Sequence, residues 1–239
     1  MVNLRNMKFS IVIPAHNEAE YVGQAIKTVL GQDYPRRDFE IIVVDNNSED
    51  ETAKVAKSAG ADKVVKETNQ GTNSARERGF KESKGEIIAF LDADCEAPPD
   101  WLQKIERSLK ASGVAAVSGP YNYGFAGFKK RLLKLYFRLI ANIDRVLYFV
   151  FRKKTGIIFG GNFAVWKWAI QKIGGLPPLK FWGDDTAIAM VLSRKAGRVI
   201  FDPTILVKSS PRRFYKTGFL ELAVRYIWNY LKIYFRYSR

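Results

Sequence analysis

The chain has 239 residues, 47% of them hydrophobic, which is enough to bury the core of one domain with an appendage. Its one cysteine and one histidine exclude an internal disulfide and argue against a histidine-rich metal site or a histidine-based catalytic triad. The net charge of +15 is uneven, because residues 1–118 carry −3 and residues 119–239 carry +18. The second half is therefore expected to meet a polyanion: nucleic acid, phosphate groups or an anionic membrane.

Short apolar runs alternate with amphipathic segments in the first half. The apolar runs predict five buried strands, at residues 9–15, 39–45, 61–67, 85–94 and 114–121. Segments with helical spacing lie between and after them and predict helices within residues 18–32, with Gly31 as the stop, and at residues 49–59, 72–81 and 101–109, with Ser48 as the cap of the second. This alternation is typical of an α/β fold with a mostly parallel central sheet and helices on both faces.

Polar residues follow three of these predicted strands. They are His16-Asn17-Glu18, Asp45-Asn46-Asn47 and the pair Asp92 and Asp94. Ligands of parallel α/β sheets bind at the carboxyl ends of the strands, so these residues are expected to share one crevice. Neither GxGxxG after the first strand nor GxxxxGK[ST] is present, which argues against a dinucleotide-binding enzyme and a P-loop ATPase.

Asp92 and Asp94 offer two hard carboxylate ligands one residue apart. Such oxygens suit Mg²⁺ or Mn²⁺, and the ion would bridge phosphate oxygens. The alternative is a loop whose aspartates cap a helix. Asp45 also has two interpretations. It could accept hydrogen bonds from a nucleoside base or ribose, or it could cap the next helix.

Asp184 and Asp185 open a predicted helix at residues 186–195. The helix dipole stabilises a carboxylate there, and a carboxylate kept ionised can act as a general base. Helix capping without chemistry is the alternative. Of Arg76 and Arg78, one is expected to point inward and contact a pyrophosphate or a base, and the other would lie on a solvated helix face.

Paired arginines occur again at Arg212 and Arg213. They could hold a leaving diphosphate bidentately, or they could belong to a basic surface that faces a membrane.

Five segments carry a resemblance to a known family: FSIVIPAHNEAEYVGQAIKTVLGQDYP, FEIIVVDNNSEDET, NQGTNSARERGFKESKGEIIAFLDADC, GGNFAVWKWAIQKIGG and GDDTAIAMVLSRKAG. In this order and spacing, over roughly residues 8–215, the chain resembles the family 2 glycosyltransferases of GT-A fold. The resemblance implies an inverting hexosyltransferase that uses a nucleotide-sugar donor and a divalent ion, Mn²⁺ or Mg²⁺. UDP is the expected nucleotide and GDP is the next candidate. The alternative to a UDP-sugar enzyme is a GDP-mannose-type or polyprenyl-phosphate glycosyltransferase.

The resemblance also implies site residues. Those on the nucleotide-sugar side are Pro14, Ala15, Glu18, Asp45, Arg76, Asp92, Ala93 and Asp94, of which Asp94 and Asp92 would hold the metal. Those on the acceptor side are Gly160, Gly161, Asn162, Trp182 and Asp184. Asp185 matches the family's catalytic base. The family's Glu-Asp pair is Asp184-Asp185 here, and Lys208-Ser209-Ser210 stands where many members place a metal-binding histidine.

Two segments of the basic half are aromatic, apolar and cationic, at residues 125–152 and 216–239. They predict amphipathic helices that lie on an anionic bilayer without spanning it. With no signal peptide visible, the expected protein is a peripheral enzyme on the cytoplasmic face of the cell membrane, acting on a lipid-linked or glycan acceptor. Alternatively, the helices at 125–152 pack as core or as a dimer interface.

The expected organisation is one domain. It would comprise a nucleotide-binding half at 1–119, an acceptor and catalytic half at 120–215, and the C-terminal helix at 216–239. Two rival readings are a nucleic-acid-binding protein, which the basic half would suit, and a catalytically inactive family member that acts as a scaffold. The acidic crevice argues against the first and the intact acids against the second, so no nucleic-acid partner is expected.

Overall fold

The structure is a computed structural model that describes residues 7–127, 158–177 and 183–237, with the isolated positions 129, 131–133, 135 and 149. Most of the segment predicted as amphipathic helices at 125–152 lies outside the described residues, and so does Trp182. Among the described helices, none is long and apolar enough to cross a membrane.

A mixed sheet of seven strands forms the centre of the molecule. The described strands are β1 (Phe9–Ala15), β2 (Phe39–Asp45), β3 (Lys63–Lys66), β4 (Ile87–Leu91), β5 (Cys95–Glu96), β6 (Val114–Ser118), β7 (Tyr121–Asn122), β8 (Asn162–Trp166), β9 (Arg198–Phe201) and β10 (Val207–Ser209). The large sheet has the strand order β3-β2-β1-β4-β8-β6-β9, and a second, three-stranded sheet has the order β5-β10-β7.

The large sheet is parallel except at one strand. β1 pairs in parallel with β2 and β4, β2 with β3, and β6 with β9, whereas β8 runs antiparallel between β4 and β6. The prediction of a mostly parallel α/β sheet is therefore confirmed. Strands β8 and β9 come from the second half of the chain, so the two predicted halves share one sheet.

Eight described helices and one short 3₁₀ turn at Arg36–Asp38 accompany the strands. The helices are α1 (Val22–Leu30), α2 (Thr52–Ser58), α3 (Thr72–Glu82), α4 (Trp101–Leu109), α5 (Lys167–Ile173), α6 (Asp184–Lys195), α7 (Arg212–Thr217) and α8 (Phe219–Tyr237).

The core lies on both faces of the large sheet because successive strand residues point to opposite sides. In β1, Ile11 and Ile13 pack with α1 and α4, including the fully buried Trp101. Val12 points the other way and packs with residues of α3, α5 and α6, such as Ile188. The result is a three-layer α/β/α arrangement that leaves the strand ends as the place for polar groups.

The predicted start of the second helix is wrong. α2 begins at Thr52, three residues later than predicted, and Ser48 does not cap it. The Ser48 hydroxyl accepts the N–H of Asn17 at 3.0 Å, and the Thr52 hydroxyl accepts the N–H of Glu18 at 2.8 Å. Both side chains therefore hold the turn that leaves β1. At the start of α2, the side chain of Asp50, not that of Ser48, accepts the N–H of Thr52.

Helix α8 packs on the start of α6. Ile233 and Tyr234 of α8 form a small buried cluster with Ala187 and Met190 of α6. Gly183 precedes α6 with φ +88°, and a Cβ there would lie 2.7 Å from Cγ1 of Ile233. A residue without a side chain lets α8 approach the helix end that carries Asp184 and Asp185.

Candidate active site

The first part of the site lies where the carboxyl ends of the paired strands β1 and β2 meet. Their register places Ala15 opposite Asp45, and the N–H of Asn46 donates to the carbonyl of Ala15 at 2.7 Å. Asp45 Oδ1 accepts the N–H of Ser48 at 3.1 Å, so Asp45 shapes its own turn while it stays at the strand tip. Pro14 and Ala15 belong to β1 itself and border this end of the crevice through main chain.

The aspartate pair follows β4 directly. Asp92 donates its N–H to the carbonyl of Gly161 at 3.2 Å and accepts the N–H of Cys95 through its own carbonyl at 3.0 Å. Ala93 is buried between the two acids. Burial, and after it the charge of Asp92, raises the pKa of Asp94 above its ordinary value. The two carboxylates thus form an electrostatically crowded site that a cation would relieve.

Arg212 reaches this crowded site from the other end of the chain. Its Nε donates to Asp94 Oδ2 at 3.1 Å, its Nη2 donates to Glu18 Oε1, and its guanidinium lies 4.5 Å from the ring centre of Tyr21. Glu18 is mostly buried, and this desolvation is the main cause that raises its pKa. Its second oxygen, Oε2, is buried without a hydrogen-bond partner among the described residues.

Arg213, predicted beside Arg212 on the diphosphate, donates to the hydroxyl of Tyr226 in α8 at 3.1 Å. Burial acts to lower the pKa of Arg213, but Tyr226 and, after it, the charges of Asp92 and Asp94 raise that pKa above its ordinary value. Arg212 therefore contacts the acid cluster directly, and Arg213 lies where the charges of that cluster act on it.

Arg76 is buried with only 3% of its side chain exposed. Nη1 donates to Asp184 Oδ2 at 2.6 Å and Nη2 to Asp92 Oδ1 at 3.3 Å. Arg78 points outward and pairs with Glu82 at 2.9 Å, so the expectation that one of the two arginines faces inward is correct. Arg76, however, is bound by two acids from opposite sides of the crevice.

Asp185 lies in the first turn of α6, and its Oδ1 accepts the N–H of Thr186 at 2.7 Å. Burial, followed by the adjacent charge of Asp184, raises the pKa of Asp185 to about 7, although Thr186 and Arg76 act in the opposite direction. A carboxyl group that titrates near neutrality is suited to take and release a proton, and perturbed pKa values of this kind cluster at functional sites.

The Gly160-Gly161-Asn162 segment closes the crevice. The N–H of Gly161 donates to the hydroxyl of Tyr121 at 2.7 Å. Asn162 does not face an acceptor as predicted: it is fully buried, it donates to the carbonyls of Pro120 and Ile205, and it accepts the indole N–H of Trp101. Its amide joins β8 to α4 and to the loop residues Pro120 and Ile205, which is a structural role.

The residues predicted for a metal fit such an ion in chemistry. Asp92 and Asp94 provide carboxylate oxygens, the preferred ligands of Mg²⁺ and Mn²⁺, and the unpartnered Oε2 of Glu18 lies in the same acidic cluster. Within the described part of the chain, no three His, Cys, Asp or Glu side chains form a ready ligand set. At the position where many family members have histidine, Lys208 pairs with Glu96 at 2.7 Å.

Tyr121 and Tyr226 are site residues that the sequence did not reveal. Tyr121 is partly buried, desolvation raises its pKa well above the usual range, and its hydroxyl accepts the N–H of Gly161. Tyr226 lies on the helix that packs against α6, and it feels the charges of Asp185 and Asp92. Neither tyrosine stands in a recognisable motif, and only the fold brings them to the crevice.

Comparison with known proteins agrees with this geometry. The sequence profile described as Glycosyl transferase family 2 matches residues 10–174. The chain is 35% identical over 121 residues to glycosyltransferase AglE of Haloferax volcanii and 32% identical over 122 residues to a dolichol-phosphate mannosyltransferase of Pyrococcus furiosus. These alignments cover 48% and 49% of this chain but only 40% and 34% of the relatives' own lengths.

The fold is also similar to that of a solved structure, the mannosyltransferase PcManGT from Pyrobaculum calidifontis in complex with GDP-Man and Mn²⁺. The TM-score is 0.73 at 24% sequence identity, over 96% of this chain and 64% of that one. The chain belongs to glycosyltransferase family 2 and has the GT-A fold.

Proposed function

We propose that the protein transfers a sugar from a nucleoside-diphosphate sugar to an acceptor hydroxyl, with inversion at the anomeric carbon. The observation that carries the proposal is the connected acid cluster at the sheet edge. Arg212 links Glu18 to Asp94, and Arg76 links Asp92 to Asp184, next to Asp185. The proposed unit is one GT-A domain built from the halves at 1–119 and 120–215, which the shared sheet supports.

The donor would lie along the ends of β1, β2 and β4. Asp45 would accept from the base or ribose, beside the main chain of Pro14 and Ala15. Asp92 and Asp94 would hold Mn²⁺ or Mg²⁺, which when bound supplies Lewis-acid neutralisation of the leaving diphosphate. Arg212, already in contact with Asp94, would turn part of its guanidinium toward the diphosphate, supported by Arg213.

Asp185 would act as the general base. Its carboxylate would take the proton of the acceptor hydroxyl, whose oxygen then attacks the anomeric carbon from the face opposite the diphosphate. The carbon–oxygen bond to the diphosphate breaks as the new glycosidic bond forms. A pKa of about 7 leaves Asp185 largely ionised above neutral pH, so the base is available at the start of each turnover.

The donor nucleotide is proposed as UDP, with GDP as the alternative. The names of the Pyrococcus relative and of the Pyrobaculum structure, a dolichol-phosphate mannosyltransferase and a GDP-Man complex, support the GDP alternative. The first of these names also supports the proposal of a lipid-linked acceptor.

A thermal-shift screen of UDP, GDP and their sugars, each with and without Mn²⁺, tests the donor proposal. We expect stabilisation by one nucleotide family that grows when Mn²⁺ is added, because a ligand bound only to the folded state raises the transition temperature. No thermal shift with any nucleotide at millimolar concentration would count against the donor proposal. Filter binding of RNA or DNA at least as tight as that of the nucleotide sugars would favour the hypothesis of a nucleic-acid-binding protein.

Helix α8 is proposed to lie on an anionic membrane at the cytoplasmic face. Val224, Trp228 and Phe235 of α8 are 61%, 69% and 52% exposed, and their spacing with Leu231 places all four on one stripe of the helix. Arg225, Lys232 and Arg236 flank that stripe, and the opposite face, with Ile233 and Tyr234, packs on α6. An apolar stripe beside basic residues matches helices that lie in a bilayer interface.

Co-sedimentation with vesicles tests this surface. We expect binding to anionic vesicles, released by salt, and at least a tenfold loss of affinity in Val224→Ser/Trp228→Ser, because buried apolar area drives interfacial binding. Trp168→Ser, on an exposed tryptophan of α5, is the matched control and should bind normally. Unchanged binding of the double variant, or its conversion from dimer to monomer, would overturn the assignment of this stripe to lipid.

A further inference from the structure

Arg76 joins two segments that carry different parts of the proposed chemistry. It projects from α3 and pairs with Asp92 at the end of β4 and with Asp184 at the start of α6, two residues that lie 92 positions apart in the chain. The Asp184 contact, at 2.6 Å, is the shorter one. Because the Arg76 side chain is only 3% exposed, its charge has little solvent around it and depends on the carboxylates of Asp92 and Asp184.

The neighbouring main chain is shaped around this ion group. A Cβ on Gly160 would lie 2.8 Å from Nη2 of Arg76, and one on Gly161 would lie 2.1 Å from Cγ of Asp92. The ring of Phe163 lies 5.9 Å from the guanidinium carbon. Arg76 is therefore enclosed by the glycine pair, an aromatic ring and two carboxylates, and both of its terminal nitrogens are already bonded to protein.

The pKa of Asp185 depends on Arg76 and Asp184. Asp184, Thr186 and Arg76 act on it from α6 and α3, and Tyr226 faces it from α8. The charge of Asp184 raises its pKa, whereas that of Arg76 lowers it. Removal of Arg76 would leave the carboxylates of Asp92 and Asp184 without their buried cation, and the first turn of α6 would lose its tie to β4.

We propose that Arg76 is a positioning residue, not a nucleotide contact: it ties the donor-side Asp92 to the first turn of α6 and thereby fixes Asp185 for the acceptor. The nucleotide-side role expected from the family resemblance is thus replaced by a link between the donor and acceptor sides. The inference rests on the proposed function, in which Asp185 is the base.

The first test measures the titration of Asp185 by NMR, in protein labelled with ¹³C at the aspartate carboxyls. The Asp185 signal is assigned by its absence in Asp185→Asn. We expect Arg76→Gln to raise the Asp185 midpoint and Asp184→Asn to lower it, each by about one pH unit, because these neighbours carry opposite charges. The double variant should return near the wild-type midpoint. Midpoints that do not move in Asp184→Asn and Arg76→Gln would overturn the proposal.

The second test is nucleotide affinity, with UDP and GDP as probes in the presence of Mn²⁺. Arg76→Lys should keep the dissociation constant of the nucleotide that binds within about threefold, while kcat falls at least tenfold, because only the fork geometry of arginine serves both acids. Arg78→Lys, on the exposed side of α3, is the matched control and should change neither quantity. A tenfold or larger loss of nucleotide affinity in Arg76→Lys would identify Arg76 as a nucleotide contact and overturn the inference.

The two tests separate this inference from the proposed function. If the wild-type protein binds neither nucleotide, the proposed function fails, yet the Asp185 titration still decides whether Arg76 and Asp184 act on that carboxyl group. If Arg76→Gln does not fold, the Asp185 titration and the nucleotide affinity are measured in Arg76→Lys and Asp184→Asn.

Discussion

Arg212 Nε lies 3.1 Å from Oδ2 of Asp94, although 118 positions separate the two residues in the chain. The contact depends on the small sheet, in which β10 pairs with β5 at Ser209 and Cys95 and the N–H of Ser210 donates to the carbonyl of Asp94. The segment after β10 is therefore fixed beside the aspartate pair, and Arg212 is delivered to the acid cluster by main-chain pairing.

Arg212→Gln is expected to weaken the binding of a nucleoside diphosphate and to spare the nucleoside. Loss of a charge-assisted contact to the diphosphate should cost about 1.5–3 kcal/mol, or roughly 10–150-fold in affinity. Titration calorimetry with UDP, GDP and the matching nucleosides, in Mn²⁺, measures the difference. The control is Arg225→Gln, which removes an exposed pair with Glu221. Equal weakening of nucleoside and diphosphate would contradict a diphosphate role.

Asp185→Asn is expected to make the fold more stable at alkaline pH. The folded-state pKa of Asp185 is about 7, and that of an unfolded aspartate is about 3.9. As pH rises between these values, the unfolded chain loses the proton first, so the free energy of unfolding of the wild type falls. The variant lacks this loss and should gain about 1–3 kcal/mol on the wild type between pH 4 and pH 8.

Urea unfolding at several pH values measures this effect. Asp33→Asn, on an exposed aspartate, is the control and should track the wild type. A stability difference between Asp185→Asn and wild type that stays constant from pH 4 to pH 8 would show that Asp185 titrates like an exposed acid. In the wild type, kcat is also expected to fall as pH drops below about 7, because the base becomes protonated.

Gly161→Ala is expected to damage both the fold and the aspartate pair. The new methyl group would meet Asp92 at 2.1 Å, so either the side chain or the strand must move, and overpacking of this kind costs about 1–3 kcal/mol. Gly31→Ala is the control because its nearest neighbour would be 3.5 Å away. Thermal unfolding should separate the two, and a Gly161→Ala protein as stable as Gly31→Ala would refute the close approach.

Asn162→Ala tests the structural role of the Asn162 amide. The substitution leaves the carbonyls of Pro120 and Ile205 and the indole N–H of Trp101 without partners in the core, so a loss of about 2–4 kcal/mol in the free energy of unfolding is expected. Asn122→Ala, at an exposed position, should cost little. If Asn162→Ala instead keeps its stability and raises only the KM for the acceptor, the predicted acceptor-side role was right.

The sequence predicted those parts of the fold that depend on local pattern. The bounds of β1 and α4 agree because β1 is a continuous apolar run and α4 has strong helical periodicity. The acids at the ends of β2 and β4 follow from parallel topology. The start of α2 was missed because Ser48 serves a contact with Asn17, 31 positions away in the chain, that no local rule contains.

The site was predictable only as far as residue types reveal it. Asp92, Asp94 and Asp185 are predicted as site residues because acids at strand and helix ends suit metal binding and proton transfer, although the same pattern also fits helix caps. The family motif places Arg76 on the nucleotide side because a motif gives no information about burial, and the burial of Arg76 between Asp92 and Asp184 is the observation behind the proposed positioning role. The strand β8, which brings the glycine pair to Asp92, is antiparallel and enters the sheet out of chain order.

The measurement that tests the account most directly follows the release of nucleoside diphosphate and the binding of the donor side by side. Wild type and Asp185→Asn would be compared in Mn²⁺ with the nucleotide sugar that gives the largest thermal shift. The account predicts donor dissociation constants within threefold of each other and at least a thousandfold lower transfer in the variant. Turnover by Asp185→Asn within a few fold of wild type would contradict the assignment of the base, and with it the proposed mechanism.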